Sequence, residues 1–254
     1  MAFKKESALF SLARILSRTL LHGSIKTFGS PCPSRKPVIY VANHPSTLDP
    51  FFLISALPYP VRILISEYSF QVPVLGWYLR HSGHVKVSAE SGKKEAYHHA
   101  KRLLKKGMSL LIFAEGVISP DKTRMSKIKT GAVRLAMETG APIVPVGISL
   151  DPSKIKKYVW YFGGGKKDEG HWYSNGAYAA TFGEKLNFSG SIKNKSRVIQ
   201  NSELVQRMVT GNIQEGSARL KQLALERRSI YNIFSLIMFA LRARFAYVKW
   251  ADSP

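Results

Sequence analysis

His44 and Asp49, which stand five residues apart, are the pair in this chain best suited to acid–base chemistry. They follow an apolar run, residues 37–42, whose pattern predicts a short buried strand. Imidazole can accept a proton from a hydroxyl group near neutral pH, and a nearby carboxylate can hold the tautomer that leaves the second ring nitrogen free. The spacing alone also fits a simpler arrangement, in which Asp49 caps a helix near an unrelated loop histidine.

A second polar segment follows a second apolar run. Residues 108–113 lead into Glu115 and Gly116, and a basic stretch then extends to Lys129. Because open α/β sheets gather functional groups at the carboxyl ends of their strands, we expect His44 and Glu115 to lie at the same edge of a sheet. Glu115 then has three possible roles, which are to act as a second acid, to position hydroxyl groups of a substrate, or to order its own loop by accepting backbone N–H groups.

Four ordered blocks of the chain resemble the glycerolipid acyltransferase family, and in particular its lysophosphatidic acid acyltransferases. The family pattern consists of Asn-His-x-x-x-x-Asp-Pro, then Pro-x-x-Gly-Trp with Gly-x-Ile/Val-x-Ile/Val, then Phe-Pro-Glu-Gly-Thr-Arg-Ser with Lys-x-Gly-Ala, and finally Pro-Ile-Val-Pro-Val. The matching residues are, in order, Asn43, His44, Asp49 and Pro50; Pro73, Gly76, Trp77, Gly83, Val85 and Val87; Phe113, Glu115, Gly116, Ser119, Lys129, Gly131 and Ala132; and residues 142–146. Four blocks in order over about residues 36–150 are far more specific than any one of them.

The resemblance implies an O-acyltransferase in which His44 deprotonates an acceptor hydroxyl and Asp49 orients the imidazole. The hydroxyl then attacks the carbonyl of an acyl thioester, either acyl-CoA or an acyl carrier protein (acyl-ACP), which serves as co-substrate. Neither a cofactor nor a metal ion is expected, since the acceptor is itself the nucleophile. The residues expected to contact substrate are Asn43, Glu115, Gly116, Ser119, Arg124 and Lys129.

The chain departs from the family pattern at two positions. The family has an arginine at the close of the second block and another two residues after Glu-Gly, and both are thought to hold the acceptor's phosphate. Ala89 (or Ser88) and Ile118 stand at these positions here, and Val117 replaces the usual threonine. Neither Ala nor Ile can replace a forked guanidinium. The acceptor is therefore expected to be 1-acyl-glycerol-3-phosphate or another lysolipid, with the choice left open.

Length, composition and charge indicate one α/β domain that meets a polyanionic partner. The 254 residues are 45% hydrophobic and carry a formal net charge of +22, which suits an anionic membrane surface or nucleic acid. No groove-reading or base-stacking motif is present, so nucleic acid is not expected. The single cysteine, Cys32, excludes an internal disulfide and any multi-cysteine metal site.

Both ends of the chain predict membrane-associating helices. In the first segment Leu9, Leu12, Ala13, Leu16 and Leu20 fall at helical spacing, opposite Ser11, Arg14 and Arg18. The second segment, residues 230–241, is apolar but too short to span a bilayer. Amphipathic helices lying at the cytoplasmic face of a membrane, in a peripheral or monotopic protein, account for both. Terminal helices packed on the domain would give the same patterns.

The pattern along the chain predicts a central, mostly parallel sheet flanked by helices, with amphipathic terminal helices. We expect an N-terminal region at 1–30, an acyltransferase domain at 31–190 and a C-terminal helical extension at 191–254. Strands are predicted at 61–65, 84–87, 108–113, 143–150, 158–162 and 177–182, and helices at 50–57, 94–105, 130–139 and 202–228. The triple glycine at 163–165 is interpreted as a surface turn, because no Gly-Lys-Ser/Thr helix start follows it.

Two further interpretations remain from the sequence. His98, His99 and His171 lack partners at metal-ligand spacing and are interpreted as exposed helix or loop histidines. The chain as a whole could also be a catalytically inactive basic protein that binds membrane or nucleic acid on an acyltransferase scaffold. The loss of both expected arginines favours this alternative, whereas the joint presence of His44, Asp49, Glu115 and Gly116 argues against it.

Overall fold

The apolar run before His44 forms the central strand of the main sheet, β2 (Ile39–Ala42). All four of its residues are buried. Their side chains alternate, so that Ile39 and Val41 join one hydrophobic cluster and Tyr40 and Ala42 join the other. A strand covered on both faces can be apolar throughout, which is the pattern that parallel sheets impose on sequence.

The computed structural model describes residues 8–15, 17, 25–31, 36–88, 92–161, 167–173, 176–222 and 248–250. The strands are β1 (Ile25–Phe28), β2, β3 (Val61–Ser66), β4 (Val85–Val87), β5 (Ser109–Phe113), β6 (Ile143–Leu150), β7 (Lys156–Tyr161), β8 (Lys167–Trp172), β9 (Tyr178–Phe182) and β10 (Val248–Trp250). The helices are α1 (8–15), α2 (Asp49–Ala56), α3 (Pro73–His81), α4 (Gly92–Lys105), α5 (Gly131–Thr139) and α6 (Lys195–Gln222). Short 3-10 turns follow β3 and β6.

The seven-stranded sheet has the order β1-β9-β6-β2-β5-β3-β4. Strands β6, β2, β5, β3 and β4 are mutually parallel, whereas β9 runs antiparallel to β6, and β1 follows the direction of β9. A second sheet, with the order β10-β7-β8, is antiparallel throughout. The expected mostly parallel sheet is therefore confirmed.

Helices cover both faces of the main sheet. On one face, residues of α4, α5 and α6 pack over Ile39, Val41 and their neighbours. On the other face, α1 and α2 pack with Tyr158 and Trp172 of the small sheet. The sheet is thus enclosed by two hydrophobic layers, which is the arrangement that α/β folds use to bury an apolar strand set.

Most of the predicted elements are confirmed. The strand predicted at 143–150 is β6, and the helices predicted at 94–105 and 130–139 are α4 and α5. The helix predicted at 202–228 begins earlier, at Lys195, and continues through Gly211 without a break. The triple glycine and the apolar run 230–241 lie outside the described residues.

Three strands, β1, β8 and β10, are missing from the predicted set. β8 reads Lys-Asp-Glu-Gly-His-Trp and shows no apolar alternation, so no pattern marks it as a strand. β1 is four residues long and pairs with β9. Residues 25–28 of the predicted N-terminal region therefore belong to the main sheet.

The N-terminal helix is confirmed over residues 8–15, but its predicted faces are not. Phe10 is buried and Ala13 packs against the core, while Arg14 is half-buried with Nη1 3.5 Å from the carbonyl oxygen of Pro58. The exposed side carries Leu12 and Ile15, which are 53% and 61% accessible. The helix therefore packs on the domain, as the alternative interpretation held, and also presents apolar side chains to solvent.

The crossing of α6 over β6 depends on a glycine. A Cβ atom at Gly147 would overlap the backbone of α6 at Asn212 and Ile213. The same crossing is held by two hydrogen bonds, from Asn212 Nδ2 to the Pro145 carbonyl at 2.9 Å and from Ser149 Oγ to the Ile213 carbonyl at 2.7 Å.

We predict that Gly147→Ala lowers the free energy of unfolding by about 1–3 kcal/mol, because the added methyl group overpacks this crossing. Urea denaturation monitored by circular dichroism measures the change. Gly211→Ala is the matched control, since Gly211 is an exposed residue of α6 and no atom of the described residues lies within 4 Å of a Cβ built there. The control should gain about 0.5–1 kcal/mol from helix propensity. Equal stability of the two variants would contradict the tight crossing.

Candidate active site

His44 and Glu115 lie at the carboxyl ends of neighbouring parallel strands. In the pairing of β2 with β5, Ala42 stands opposite Phe113. The loops that leave the two strands are joined by a reciprocal pair of hydrogen bonds: the His44 amide donates to Ser119 Oγ and the Ser119 amide donates to the His44 carbonyl, each at 2.8 Å. The expected meeting of the two segments is therefore observed.

The side chains of His44 and Asp49 are in direct contact. His44 Nδ1 lies 2.8 Å from Asp49 Oδ2. Since an ionised carboxylate can only accept, Nδ1 is the nitrogen that carries the proton, and Nε2 keeps its lone pair. The imidazole also stacks on the ring of Phe113, with centroids 4.1 Å apart, and its side chain is 18% exposed. This geometry leaves a fixed, partly accessible base.

Asp49 has no exposed surface and is surrounded by donors. Besides His44, its carboxylate accepts from the Ser46 amide at 2.8 Å and from the Tyr178 hydroxyl at 3.2 Å. Burial raises the pKa of Asp49, while these hydrogen bonds favour the ionised form and oppose the rise. Burial, together with the neighbouring carboxylate, raises the pKa of Tyr178 well above its usual value, so its hydroxyl keeps the proton that it donates.

The capping role that the spacing allowed for Asp49 is wrong. Leu48 occupies the N-cap position of α2, and no side-chain hydrogen bond caps that helix. The carboxylate points instead to Ser46 and His44, which precede the helix. Asp49 is therefore the first residue of α2, but its side chain contacts His44 and does not cap the helix.

Glu115 orders the loop that it begins. It is buried, and its Oε1 accepts from the Ser119 hydroxyl while its Oε2 accepts from the Ser126 amide at 3.0 Å. These contacts match the loop-ordering alternative, and they extend through Ser119 to the backbone of His44. The predicted contact of Glu115 or Ser119 with substrate remains a prediction.

The other predicted substrate residues differ in their surroundings. Gly116 has a positive φ of 71°, and a Cβ there would overlap the Lys129 ammonium, so Lys129 lies directly over it. Both residues are exposed. Arg124 is exposed too, with Nε 2.8 Å from Asp121 Oδ2. The structure thus brings Lys129 to the loop after β5 and leaves Arg124 on its outer surface.

The side-chain amide of Asn43 is hydrogen-bonded to the backbone of β6. Its Nδ2 donates to the Ile148 carbonyl at 3.0 Å, and its Oδ1 accepts from the Ile148 amide at 2.7 Å. The residue is fully buried. These bonds give Asn43 a positioning role beside His44, and the substrate contact expected of it remains a prediction.

Of the two positions where the family arginines are replaced, one is described. Ile118 is half-buried in the loop between Gly116 and Ser119. Ala89 lies outside the described residues, and Ser88 beside it is half-buried. Among the residues that the structure describes, no group of His, Cys, Asp and Glu side chains is placed to hold a metal ion.

Three residues near the His44–Asp49 pair were not predicted from the sequence to take part in the site. Tyr178 donates to Asp49, and Lys122 lies within hydrogen-bond distance of His171. His171 is buried, so its interpretation as an exposed loop histidine is wrong. Each of these contacts joins residues far apart in the chain, and the one local sign was the basic stretch that contains Lys122.

Comparisons with known proteins identify a family for the segment that carries His44 and Asp49. A family sequence model described as Acyltransferase matches residues 25–149. The 1-acyl-sn-glycerol-3-phosphate acyltransferase of Chlamydomonas reinhardtii is 34% identical over 127 residues, covering 48% of this chain and 38% of that protein. The enzyme of the same name from Saccharomyces cerevisiae is 33% identical over 137 residues, covering 52% of this chain and 45% of that protein. The chain therefore spans less than half the length of these relatives.

The fold has a solved counterpart. The crystal structure of the 1-acyl-sn-glycerophosphate acyltransferase from Thermotoga maritima superposes with a TM-score of 0.63 at 21% sequence identity, covering 85% of this chain and 82% of that one. The likeness extends the common architecture beyond the matched segment. Residues 25–149, which carry both His44 and Asp49, belong to the acyltransferase family.

Proposed function

We propose that this protein is a membrane-surface O-acyltransferase, which moves a fatty acyl group from an acyl thioester to a hydroxyl of a glycerolipid. The observation that carries the proposal is the His44–Asp49 pair, with Nδ1 and Oδ2 2.8 Å apart at the carboxyl edge of a parallel sheet. Relatives named as 1-acyl-sn-glycerol-3-phosphate acyltransferases support a lysolipid as the acceptor.

In this mechanism His44 is the general base. Nε2 accepts the proton of the acceptor hydroxyl as the oxygen attacks the thioester carbonyl, and Asp49 stabilises the imidazolium that forms. Backbone amides or nearby donors hold the oxyanion of the tetrahedral intermediate. When the intermediate collapses, the C–S bond breaks and the thiolate takes the proton back from the imidazolium. Acyl-CoA and acyl-ACP both fit this chemistry.

The exposed apolar side of α1 supports binding of the protein to a membrane surface. Leu12 and Ile15 lie on this side, while Phe10 anchors the helix in the core. An apolar helix face on a chain with a formal net charge of +22 suits an interface of anionic lipid. Within the described residues, no helix is long and apolar enough to cross a bilayer. Peripheral attachment at the cytoplasmic face is the mode that we propose.

The first test replaces the base and its orienting residue. His44→Ala should lower kcat/KM by at least about 10²-fold, since a general base contributes that much, and Asp49→Asn should lose a similar or somewhat smaller factor. Release of free thiol from acyl-CoA in the presence of a lysolipid measures the rate. Thermal unfolding checks that both variants stay folded.

His98→Ala is the matched control, because His98 is an exposed histidine on α4. It should keep wild-type turnover. Near wild-type rates in both His44→Ala and Asp49→Asn would show that the base is assigned wrongly. A wild-type protein that releases no thiol with any lysolipid would favour the inactive, membrane-binding alternative.

The second test addresses the membrane surface. Deleting α1 would confound the result, because the deletion also removes Phe10 from the core. The double variant Leu12→Gln, Ile15→Gln should instead weaken cosedimentation with anionic vesicles by about tenfold or more. Burial of each apolar side chain in the interface contributes roughly 1.5 kcal/mol or more to the binding free energy. Added salt should weaken wild-type binding as well.

Ile199→Gln provides the matched control for this variant. Ile199 is an exposed isoleucine of comparable accessibility, 51%, on α6. Its replacement should leave vesicle binding unchanged. Equal binding of wild type and the double variant, or no preference for anionic over neutral vesicles, would contradict the proposed mode.

A further inference from the structure

Lys122, His171 and Glu169 form a chain of polar contacts beside the catalytic pair. Lys122 lies on the loop that follows Ser119, and its Nζ donates to the Ser119 carbonyl. The same Nζ is 2.7 Å from His171 Nδ1, and His171 Nε2 is 3.1 Å from Glu169 Oε1. His171 and Glu169 belong to β8, which lies outside the segment that matches the acyltransferase family.

The contacts fix the protonation of the histidine. An ammonium can only donate, so His171 Nδ1 must offer its lone pair, and Nε2–H must then donate to Glu169. Burial lowers the pKa of His171, in keeping with a neutral ring. Burial also lowers the pKa of Lys122, to about 8, while the carboxylates of Asp49 and Glu115 oppose the shift. The ammonium is therefore partly desolvated and supported by charges of opposite sign.

The same strand holds the catalytic loop. The His171 carbonyl accepts from the Thr47 amide at 2.8 Å and from Ser46 Oγ at 3.1 Å. The His171 amide and the Tyr158 hydroxyl both donate to Thr47 Oγ1, at 3.1 and 3.2 Å. Ser46 and Thr47 are thus hydrogen-bonded to the small sheet. Lys122 lies at the contact between this sheet and the loop after β5.

We propose that Lys122 is a specificity-determining residue, which His171 and Glu169 hold in place so that its ammonium binds the anionic head group of the acceptor. The inference rests on the proposed acyl transfer. It assigns a part of the acceptor site to residues of the small sheet, and it supplies a positive charge that Ile118 cannot provide.

Two features of Lys122 support the proposal: the number of its N–H donors and its burial. A lysine ammonium has three N–H donors, and the described contacts engage two of them, at Ser119 and His171. A half-buried cation attracts an anion more strongly than an exposed one, because water screens it less. The neighbouring cations are less suited, since Lys129 is exposed and the guanidinium of Arg124 is exposed and paired with Asp121.

The test compares two acceptors that differ only in the phosphate: 1-hexanoyl-glycerol-3-phosphate and 1-hexanoylglycerol. Lys122→Gln should lower kcat/KM for the phosphorylated acceptor by about 10- to 100-fold, which corresponds to the loss of one charge-assisted hydrogen bond. The loss should fall on KM and not on kcat, because the head group takes no part in the bonds that form and break at the thioester carbonyl. The uncharged acceptor should change less than about twofold.

Three further variants sharpen the comparison. Lys127→Gln removes the same charge from an exposed position on the same loop and should affect neither acceptor. Lys122→Arg keeps the charge and should restore most of the selectivity. Glu169→Gln weakens the support of His171 and should give a smaller loss with the same preference for the phosphorylated acceptor.

The possible outcomes separate the two proposals. Equal loss on both acceptors in Lys122→Gln would mean that Lys122 only holds the loop, and would overturn the inference. A wild-type preference for the uncharged acceptor would overturn it as well. If the wild type acylates neither acceptor, the proposed reaction fails, and titration calorimetry with 1-hexanoyl-glycerol-3-phosphate decides the inference alone: binding by the wild type that Lys122→Gln loses supports it, and equal binding by both contradicts it.

Discussion

The fully buried carboxylate of Asp49 is the constraint around which the site is arranged. A charge without water or partners costs several kcal/mol, so the fold must bring donors to it. These donors come from separate parts of the chain: His44 and the Ser46 amide from the loop after β2, and the Tyr178 hydroxyl from β9. The set of donors around Asp49 is therefore complete only once β9 has joined the sheet, which couples the candidate site to the assembly of the fold.

The backbone around His44 is held as firmly as its ring. Its amide and carbonyl both pair with Ser119, whose hydroxyl donates to the buried Glu115. A base must keep its position to within a fraction of an ångström for efficient proton transfer, and a histidine on an unsupported loop does not meet that condition. The link between the loops after β2 and β5 provides this support, so Glu115 acts on the histidine through Ser119.

The sequence predicts those parts of the molecule that depend on neighbouring residues or on a repeating hydrophobic pattern. The strands before His44 and Glu115 are apolar except for Ser109 at the start of β5, because both faces of the sheet are covered, and their parallel pairing brings the two residues to one edge. The part played by Asp49 is ambiguous in sequence, because the start of a helix and the neighbourhood of a histidine favour the same residue type. β8 has no apolar pattern, and the contact of Lys122 with His171 spans 49 residues, so tertiary packing alone decides both.

The reversed direction of β9 has a consequence for how such a fold can diversify. Leu150, at the end of β6, stands opposite Tyr178, at the start of β9, so the connection between these strands opens at the same edge as the loop of His44. Any segment inserted between the two strands emerges at the edge of the sheet that carries His44, while the register of the sheet stays intact. Here that segment is the β7–β8 hairpin, which reaches Thr47 and Lys122. Sequence added between these two strands can therefore change the surroundings of the His44–Asp49 pair while the main sheet is kept.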